Sequence, residues 1–270
     1  MKYCRFLFEN QTLYGAVEDH NSEPWIIALA DAPEEDLVFQ LKQRGSQRLA
    51  FAPMPLSAAQ LLAPVMPSKI VCVGRNYREH VKELGHELPN EPLLFLKAPS
   101  TLLPPGGVVA MPAASARVDY EGELAIVIGR RVRHVNEADW RSAIRGFTLA
   151  NDVTARDLQE KDGQWARAKS FDTFCPAGPL VSDELDVESG VTIETRVNGE
   201  LRQHGSTLDF IFPIPRLLAH ITAAMTLEPG DLVLTGTPSG VGPLKAGDRV
   251  EIGIPGLGLL INTFQPCERS

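Results

Sequence analysis

Two glutamates set two residues apart open an apolar run, Glu121-Gly122-Glu123-Leu124-Ala125-Ile126-Val127-Ile128. Alternate residues of a strand share a face, so both carboxylates point the same way, toward a face that Ala125 and Val127 continue. Like charges placed where solvation runs out are costly unless something positive meets them. A hard divalent cation answers that cost, and Asp152, after the apolar Phe147 and Leu149, offers a third oxygen ligand. Oxygen-only ligation suits Mg²⁺ or Mn²⁺, or Ca²⁺, better than zinc. The plainer alternative is a solvated strand edge, the usual place for such acids. Arg156 and Lys169 just downstream favour the metal, because carboxylates beside cations make a coherent site for an acidic substrate.

A second constellation lies upstream. His80 and Glu83 are three apart in a short helical segment, where side chains at i and i+3 reach each other. Such a pair is often only solvated; as a dyad, the carboxylate would orient and polarise the imidazole or help it take a proton from water. Arg75 and Asn76, at the end of the strand before that helix, would cap it, brace it or meet a ligand.

Other chemistries lack their residues. Gly74 follows a strand, but no G-x-G-x-x-G continues from it. Gly236-Thr237-Pro238-Ser239-Gly240-Val241-Gly242 has no Gly-Lys-Ser/Thr ending, and Pro238 removes a donor that a phosphate loop would use. Neither G-x-S-x-G nor H-E-x-x-H occurs.

The elements that must position these groups are mostly strands. Lys69 to Gly74 reads as a buried strand, Arg75 to Gly85 as a short helix, Leu93 to Lys97 as a strand and 99–112 as a loop. Tyr120 to Ile128 is the central strand, its alternation blurred because both faces are covered. A helix is expected from Asn136 to Arg145, with Asp139 placed to help its start. Phe147 to Asn151 is a strand, and a helical turn follows over 155–161. Asn198-Gly199 between Val191–Val197 and Leu201–His204 is a two-residue hairpin signal. Pro215 opens a helix with Leu217, Leu218, Ile221 and Met225 on one face. Strands over 250–254 and 257–264 close the chain. The pattern predicts a mixed, mainly antiparallel β architecture with few helices.

Upstream, short strands alternate over residues 2–30, Ala32 to Gln43 is weakly helical, and prolines cluster between Pro53 and Pro67. Residues 1–66 read as a small β-rich N-terminal module and 67–270 as the main domain, with an extension of the main sheet as the other possibility. The 270 residues are 44% hydrophobic and 22% charged, ordinary for a globular protein, and the formal charge of -8 argues against nucleic acid or anionic membrane as partners. No apolar run approaches a membrane span, and charge interrupts the N-terminus too early for a signal peptide. Four scattered cysteines without C-x-x-C fit reduced thiols in the cytoplasm.

Taken in order, Gly74-Arg75-Asn76-Tyr77, His80-x-x-Glu83, Asp119-Tyr120-Glu121-Gly122-Glu123-Leu124, Asn151 to Asp157, Lys169-Ser170-Phe171-Asp172 and Thr235-Gly236-Thr237-Pro238 resemble the fumarylacetoacetate hydrolase superfamily. The likeness spans about residues 68–265 and is nearest the acylpyruvate hydrolase/oxaloacetate decarboxylase branch and the related 2-hydroxyhepta-2,4-diene-1,7-dioate isomerases of aromatic catabolism. It implies a mixed β-roll with flanking helices, a homodimer, and Mg²⁺ or Mn²⁺ on Glu121, Glu123 and Asp152. It further implies a lid-borne dyad of His80 and Glu83 and substrate contacts from Arg156, Gln159, Lys169 and Thr237; a catalytic role for Lys169 and a substrate contact from Arg75 are expected from the residues themselves. The founding hydrolase takes a fourth acidic ligand from its N-terminal part; no equivalent is evident here.

The chemistry expected is that of a small 2-oxo or dicarboxylic acid. Arg156 would pair the substrate carboxylate, while Lys169 and the metal would stabilise an enolate. Three outcomes share that enolate: C–C hydrolysis of an acylpyruvate such as fumarylpyruvate or acetylpyruvate, decarboxylation of oxaloacetate, or isomerisation and tautomerisation. A non-catalytic ligand-binding relative is the remaining class. Formally, three carboxylates and one dication carry one negative charge.

Overall fold

The computed structural model describes residues 1–21, 23–31, 33, 50–85 and 87–267. The weak helical signal over 32–43 falls outside them except at residue 33. β1 (Lys2–Phe8), β2 (Gln11–His20) and β3 (Glu23–Ala30) form an antiparallel meander, with β4 (Met54–Pro55) on β3 and β5 (Gln60–Leu62) on β1. Then come β6 (Ile70–Gly74), β7 (Leu93–Lys97), β8 (Leu102–Leu103), β9 (Val108–Met111) and β10 (Val118–Tyr120). β11 (Gly122–Ile128), β12 (Ile144–Asn151), β13 (Thr154–Ala155) and β14 (Cys175–Ser182) occupy the middle of the chain. β15 (Thr192–Val197), β16 (Glu200–Ser206), β17 (Leu232–Leu234), β18 (Gly242–Pro243), β19 (Arg249–Ile254) and β20 (Gly258–Pro266) complete the strands. The α-helices among the described residues are α1 (Arg78–Glu83), α2 (Arg156–Asp162), α3 (Ala166–Lys169) and α4 (Ile214–Ala224).

The large sheet runs β4-β3-β2-β1-β14-β12-β11-β17-β6-β7. The N-terminal strands join it through β1 and β14, with Lys2 opposite Ser182 and Tyr3 opposite Val181. A second sheet, β16-β15-β19-β20-β9, packs against it so that β15 and β19 face β11 and β12. Every residue of β11 is buried, which explains its nearly unbroken apolar sequence: a strand covered on both faces has no solvent side to mark. The fold is thus mainly β with mixed sheets and few helices, most of its pairings antiparallel.

A third, three-stranded sheet gives the molecule its working feature. Its order β13-β10-β18 repeats the order β12-β11-β17 at the centre of the large sheet. Each small strand is the same chain resumed after a break: β10 before β11, β13 after β12, β18 after β17. Three adjacent strands are therefore interrupted together, around Glu121, Asp152 and the 235–241 loop. The single strand expected over 120–128 is divided at Glu121.

Other boundaries differ for local reasons. The helix expected from Asn136 to Arg145 is a 3-10 helix, Glu137–Ala143, without a side-chain cap from Asn136, and Ile144 already belongs to β12. The 99–112 loop contains β8, paired with β14, and β9, paired with β20. The Asn198-Gly199 turn forms as expected, with positive φ of 53° and 83°. α4 begins at Ile214 with Pro215 in its first turn and buries Leu217, Leu218 and Ile221, while Met225 lies just beyond its end.

Candidate active site

The strand breaks bring the acids together. Ligand oxygens of Glu121, Glu123 and Asp152 all lie within 4.8 Å of one another, and all three residues are buried. Backbone and neighbours hold each one. Asp152 N–H donates to Glu121 C=O at 2.9 Å across the gap, and Glu121 N–H donates to Asn151 Oδ1 at 2.9 Å. Gly236 N–H donates to Glu123 Oε2 at 2.7 Å. Three oxygen donors, fixed and screened from water, fit a hard divalent cation, and the cluster could hold one.

Cations surround the trio. Lys169, from the end of α3, donates to Glu121 Oε2 at 2.8 Å and Asp152 Oδ2 at 2.7 Å. Lys97, closing β7, donates to Asp152 Oδ1 at 2.7 Å and to Val153 C=O at 3.1 Å, its side chain 0% exposed. Arg156, opening α2, reaches Glu121 Oε1 at 2.5 Å, Asp119 Oδ2 at 3.0 Å and Gln159 Oε1 at 2.8 Å. In the structure its guanidinium is paired with Glu121 and Asp119, while the residue also lines the cavity, where the sequence led us to expect a partner for a substrate carboxylate. Asp119, fully buried, is also paired with Arg117.

Neither Lys97 nor Asp119 stood out in the sequence. Lys97 carried a signal, a lysine ending the apolar run Leu93-Leu94-Phe95-Leu96, but nothing in the local pattern shows where it points. It changes the charge balance. Lys97, Lys169 and Arg156 offset the three acids, and Arg117 offsets Asp119. A bound dication would leave this floor with two positive charges, the complement of a dianion, while on the walls Arg75 and Glu160 offset each other.

The electrostatics separate the two glutamates. Burial opposes ionisation of Glu121, but Lys169 and Arg156 outweigh it and hold its carboxyl well below the usual range. Burial, then the charges of Asp152 and Glu121, push Glu123 well above its ordinary 4.5. Burial also disfavours the charged form of Lys169, yet Asp152 and Glu121 prevail and keep it an ammonium.

Above the acids lies a cavity of about 340 Å³, lined by the trio, Arg156, Lys169, His80, Arg75, Gln159 and Thr237, with Phe95, Trp165 and Leu84 supplying apolar wall. The seven other site residues read from the sequence thus line the same cavity as the trio, save Glu83, which stands behind His80. His80 Nδ1 and Glu83 Oε2 are 3.0 Å apart, and Glu83 Oε1 accepts from Gly240 N–H at 3.0 Å. Arg75 takes positive φ, 57°, as β6 turns toward α1. Asn76 does not cap α1; it donates to Thr235 C=O at 2.8 Å and accepts from Phe212 N–H at 2.9 Å, tying the helix entry to the 235–241 loop. The Thr237 hydroxyl donates to Gly122 C=O at 2.9 Å, so toward the cavity it can only accept.

Fold and site together define a mainly β protein with a buried carboxylate site of the kind that holds a divalent metal. Residues 69–265 match the family described as fumarylacetoacetate (FAA) hydrolase C-terminal, and the chain belongs to that superfamily of enzymes. It is 43% identical to an oxaloacetate tautomerase, YisK, from Bacillus subtilis, over 77% of this chain and 73% of that one. Among solved structures it resembles 2-hydroxyhepta-2,4-diene-1,7-dioate isomerase from Mycobacterium marinum, with 37% identity, TM-score 0.85 and both chains fully covered. It also resembles a fumarylacetoacetate hydrolase from Exiguobacterium antarcticum, with 34% identity and TM-score 0.80 over 98% of this chain and 99% of that one.

Proposed function

We propose that this chain is a divalent-metal-dependent enzyme that forms and consumes the enolate of a 2-oxo dicarboxylic acid, with proton movement as its principal outcome: tautomerisation or double-bond isomerisation. The observation that carries the reading is the buried trio ringed by Lys97, Lys169 and Arg156, whose charge balance with a dication suits a dianion. The tautomerase and isomerase named among its relatives support that outcome.

Glu121, Glu123 and Asp152 would hold Mg²⁺, Mn²⁺ or Ca²⁺, which when bound supplies Lewis-acid polarisation of a 2-oxo acid. Lys169 adds a fixed positive charge where enolate oxygen would develop, pre-oriented by its two acidic partners. Arg156 holds Glu121 in place. Arg75 and Gln159 on the cavity wall would meet the substrate's carboxylates, and Thr237 would accept from a hydroxyl. His80, oriented by Glu83, faces the cavity as the group that moves the C3 proton.

A second reading is acylpyruvate hydrolysis, favoured by the same dyad, which could activate water, and by the likeness to a hydrolase. Decarboxylation of oxaloacetate needs the acid floor but no base. The family likeness further supports a homodimer, and four scattered cysteines without C-x-x-C support a reducing compartment such as the cytoplasm.

The test is a substrate panel of oxaloacetate, acetylpyruvate, fumarylpyruvate and a hydroxyheptadienedioate, followed by enol absorbance with Mg²⁺ and with chelator. Metal-dependent turnover led by oxaloacetate enol or the dienedioate is expected. Turnover undiminished in chelator would refute the metal reading, and acylpyruvates turned over fastest would make hydrolysis primary.

A further inference from the structure

Gly122, the residue between the two glutamates, is held in a closed ring of hydrogen bonds. Gly122 N–H donates to Gln203 Oε1 at 3.0 Å, Gln203 Nε2 donates to Thr237 Oγ1 at 2.7 Å, and Thr237 donates back to Gly122 C=O at 2.9 Å. The other amide proton of Gln203 goes to Pro238 C=O at 2.8 Å, so this fully buried side chain is satisfied on both ends.

Gln203 comes from the second sheet. It stands opposite Thr195 in the β15–β16 hairpin, and both press on Gly122. A methyl group at Gly122 would lie 2.1 Å from Thr195 Oγ1 and 3.3 Å from Gln203 Oε1, so the hairpin approaches as closely as a glycine allows. The ring bonds to none of the three carboxylates, and of its members Thr237 alone lines the cavity. What it fixes is Gly122 itself, whose N–H and C=O belong to the two successive peptide groups that link Glu121 to Glu123. A backbone rotation at Gly122 would shift one glutamate relative to the other, at a place where the strand is already broken.

We propose that Gln203 is a positioning residue for the metal site: by holding Gly122 N–H directly and Gly122 C=O through Thr237 it sets the separation of the Glu121 and Glu123 carboxylates, and it fixes the orientation of Thr237. This rests on the reading of the acid trio as a metal site. Groups that act one step behind the ligands typically govern metal affinity as well as fold.

The experiment is Mn²⁺ titration of the full chain without substrate, following free Mn²⁺ by electron paramagnetic resonance, with folding checked by circular dichroism. Gln203→Met should weaken binding about 10- to 100-fold. Thr237→Val should weaken it similarly, the double variant no further than either single one, and Thr237→Ser should restore it, because one ring is broken or kept. A folded Gln203→Met with the wild-type Kd overturns the proposal. Should that variant not fold, equal affinities for Thr237→Val and Thr237→Ser overturn it. A wild-type chain that takes up no Mn²⁺ brings down the metal reading and this inference with it, whereas equal uptake by wild type and variant brings down the inference alone.

Discussion

The floor of the cavity and the helix proposed as its lid are built on opposite principles. The floor draws Lys97, Glu121, Glu123, Asp152 and Lys169 from different elements, all buried, each tied by at least one hydrogen bond to a group distant in sequence. The lid is α1, six residues long, with no side-chain N-cap and with Glu83 34% exposed. A helix so short has little stability of its own in water and depends on what it touches. Here Glu83 does both jobs, bonding Gly240 N–H with one oxygen and His80 with the other. The contrast suggests a division of labour: the floor determines what is held, and the lid determines what happens to it. Elements of low local stability are where closing motions are usually found.

Removing a floor acid should therefore silence every outcome. Glu123→Ala is expected to abolish metal-dependent turnover of all panel substrates, with Mn²⁺ uptake lost in parallel. Activity persisting with any one substrate would separate that reaction from the acid trio.

Altering the lid should instead sort the outcomes. Glu83→Gln keeps an acceptor for Gly240 N–H but withdraws the charge beside His80. Tautomerisation and acylpyruvate hydrolysis are expected to fall by about 10²- to 10⁴-fold, the usual worth of a positioned acid–base group, with oxaloacetate decarboxylation much less affected. Equal losses in all three assays would mean that the dyad only latches the lid.

The same contrast decides what could be seen in the sequence. The dyad was legible because its geometry is local: three residues along one helix fix the contact. The paired glutamates were legible from strand alternation, although the strand is broken at Glu121. That break could not be read, since it exists only where three strands from distant parts of the chain are interrupted side by side. Lys97 is 55 residues from Asp152, and Gln203 is 81 from Gly122, so no spacing rule connects them. Arg156 was visible as a cation but not as one already committed to Asp119 and Glu121. The proline-rich stretch before residue 67 was open to two readings, a small module or an extension of the main sheet; strands on both sides of it pair at β1 and β14.

Within the floor, the two glutamates invite a gentler test, because their carboxyls are displaced in opposite directions. Glu121 is held ionised by Lys169 and Arg156 against its burial, so its contribution to stability is present above about 4.5 and is lost as pH falls below that value. Glu123 is raised by burial and by Asp152 and Glu121, so without metal the folded chain keeps a proton there that the unfolded chain has released. Stability of the metal-free protein should accordingly decline as pH rises from 4.5 toward the raised value. A dication needs the carboxylate, so binding must expel that proton, and apparent affinity should rise by up to about tenfold per pH unit until the group ionises unaided. Calorimetry in two buffers of different ionisation enthalpy should record a proton released with each metal at acidic pH, fading as pH increases. Metal uptake with no proton release anywhere between about pH 5 and 8 would place Glu123 among the ionised acids beforehand, and the asymmetry between the two glutamates would be gone.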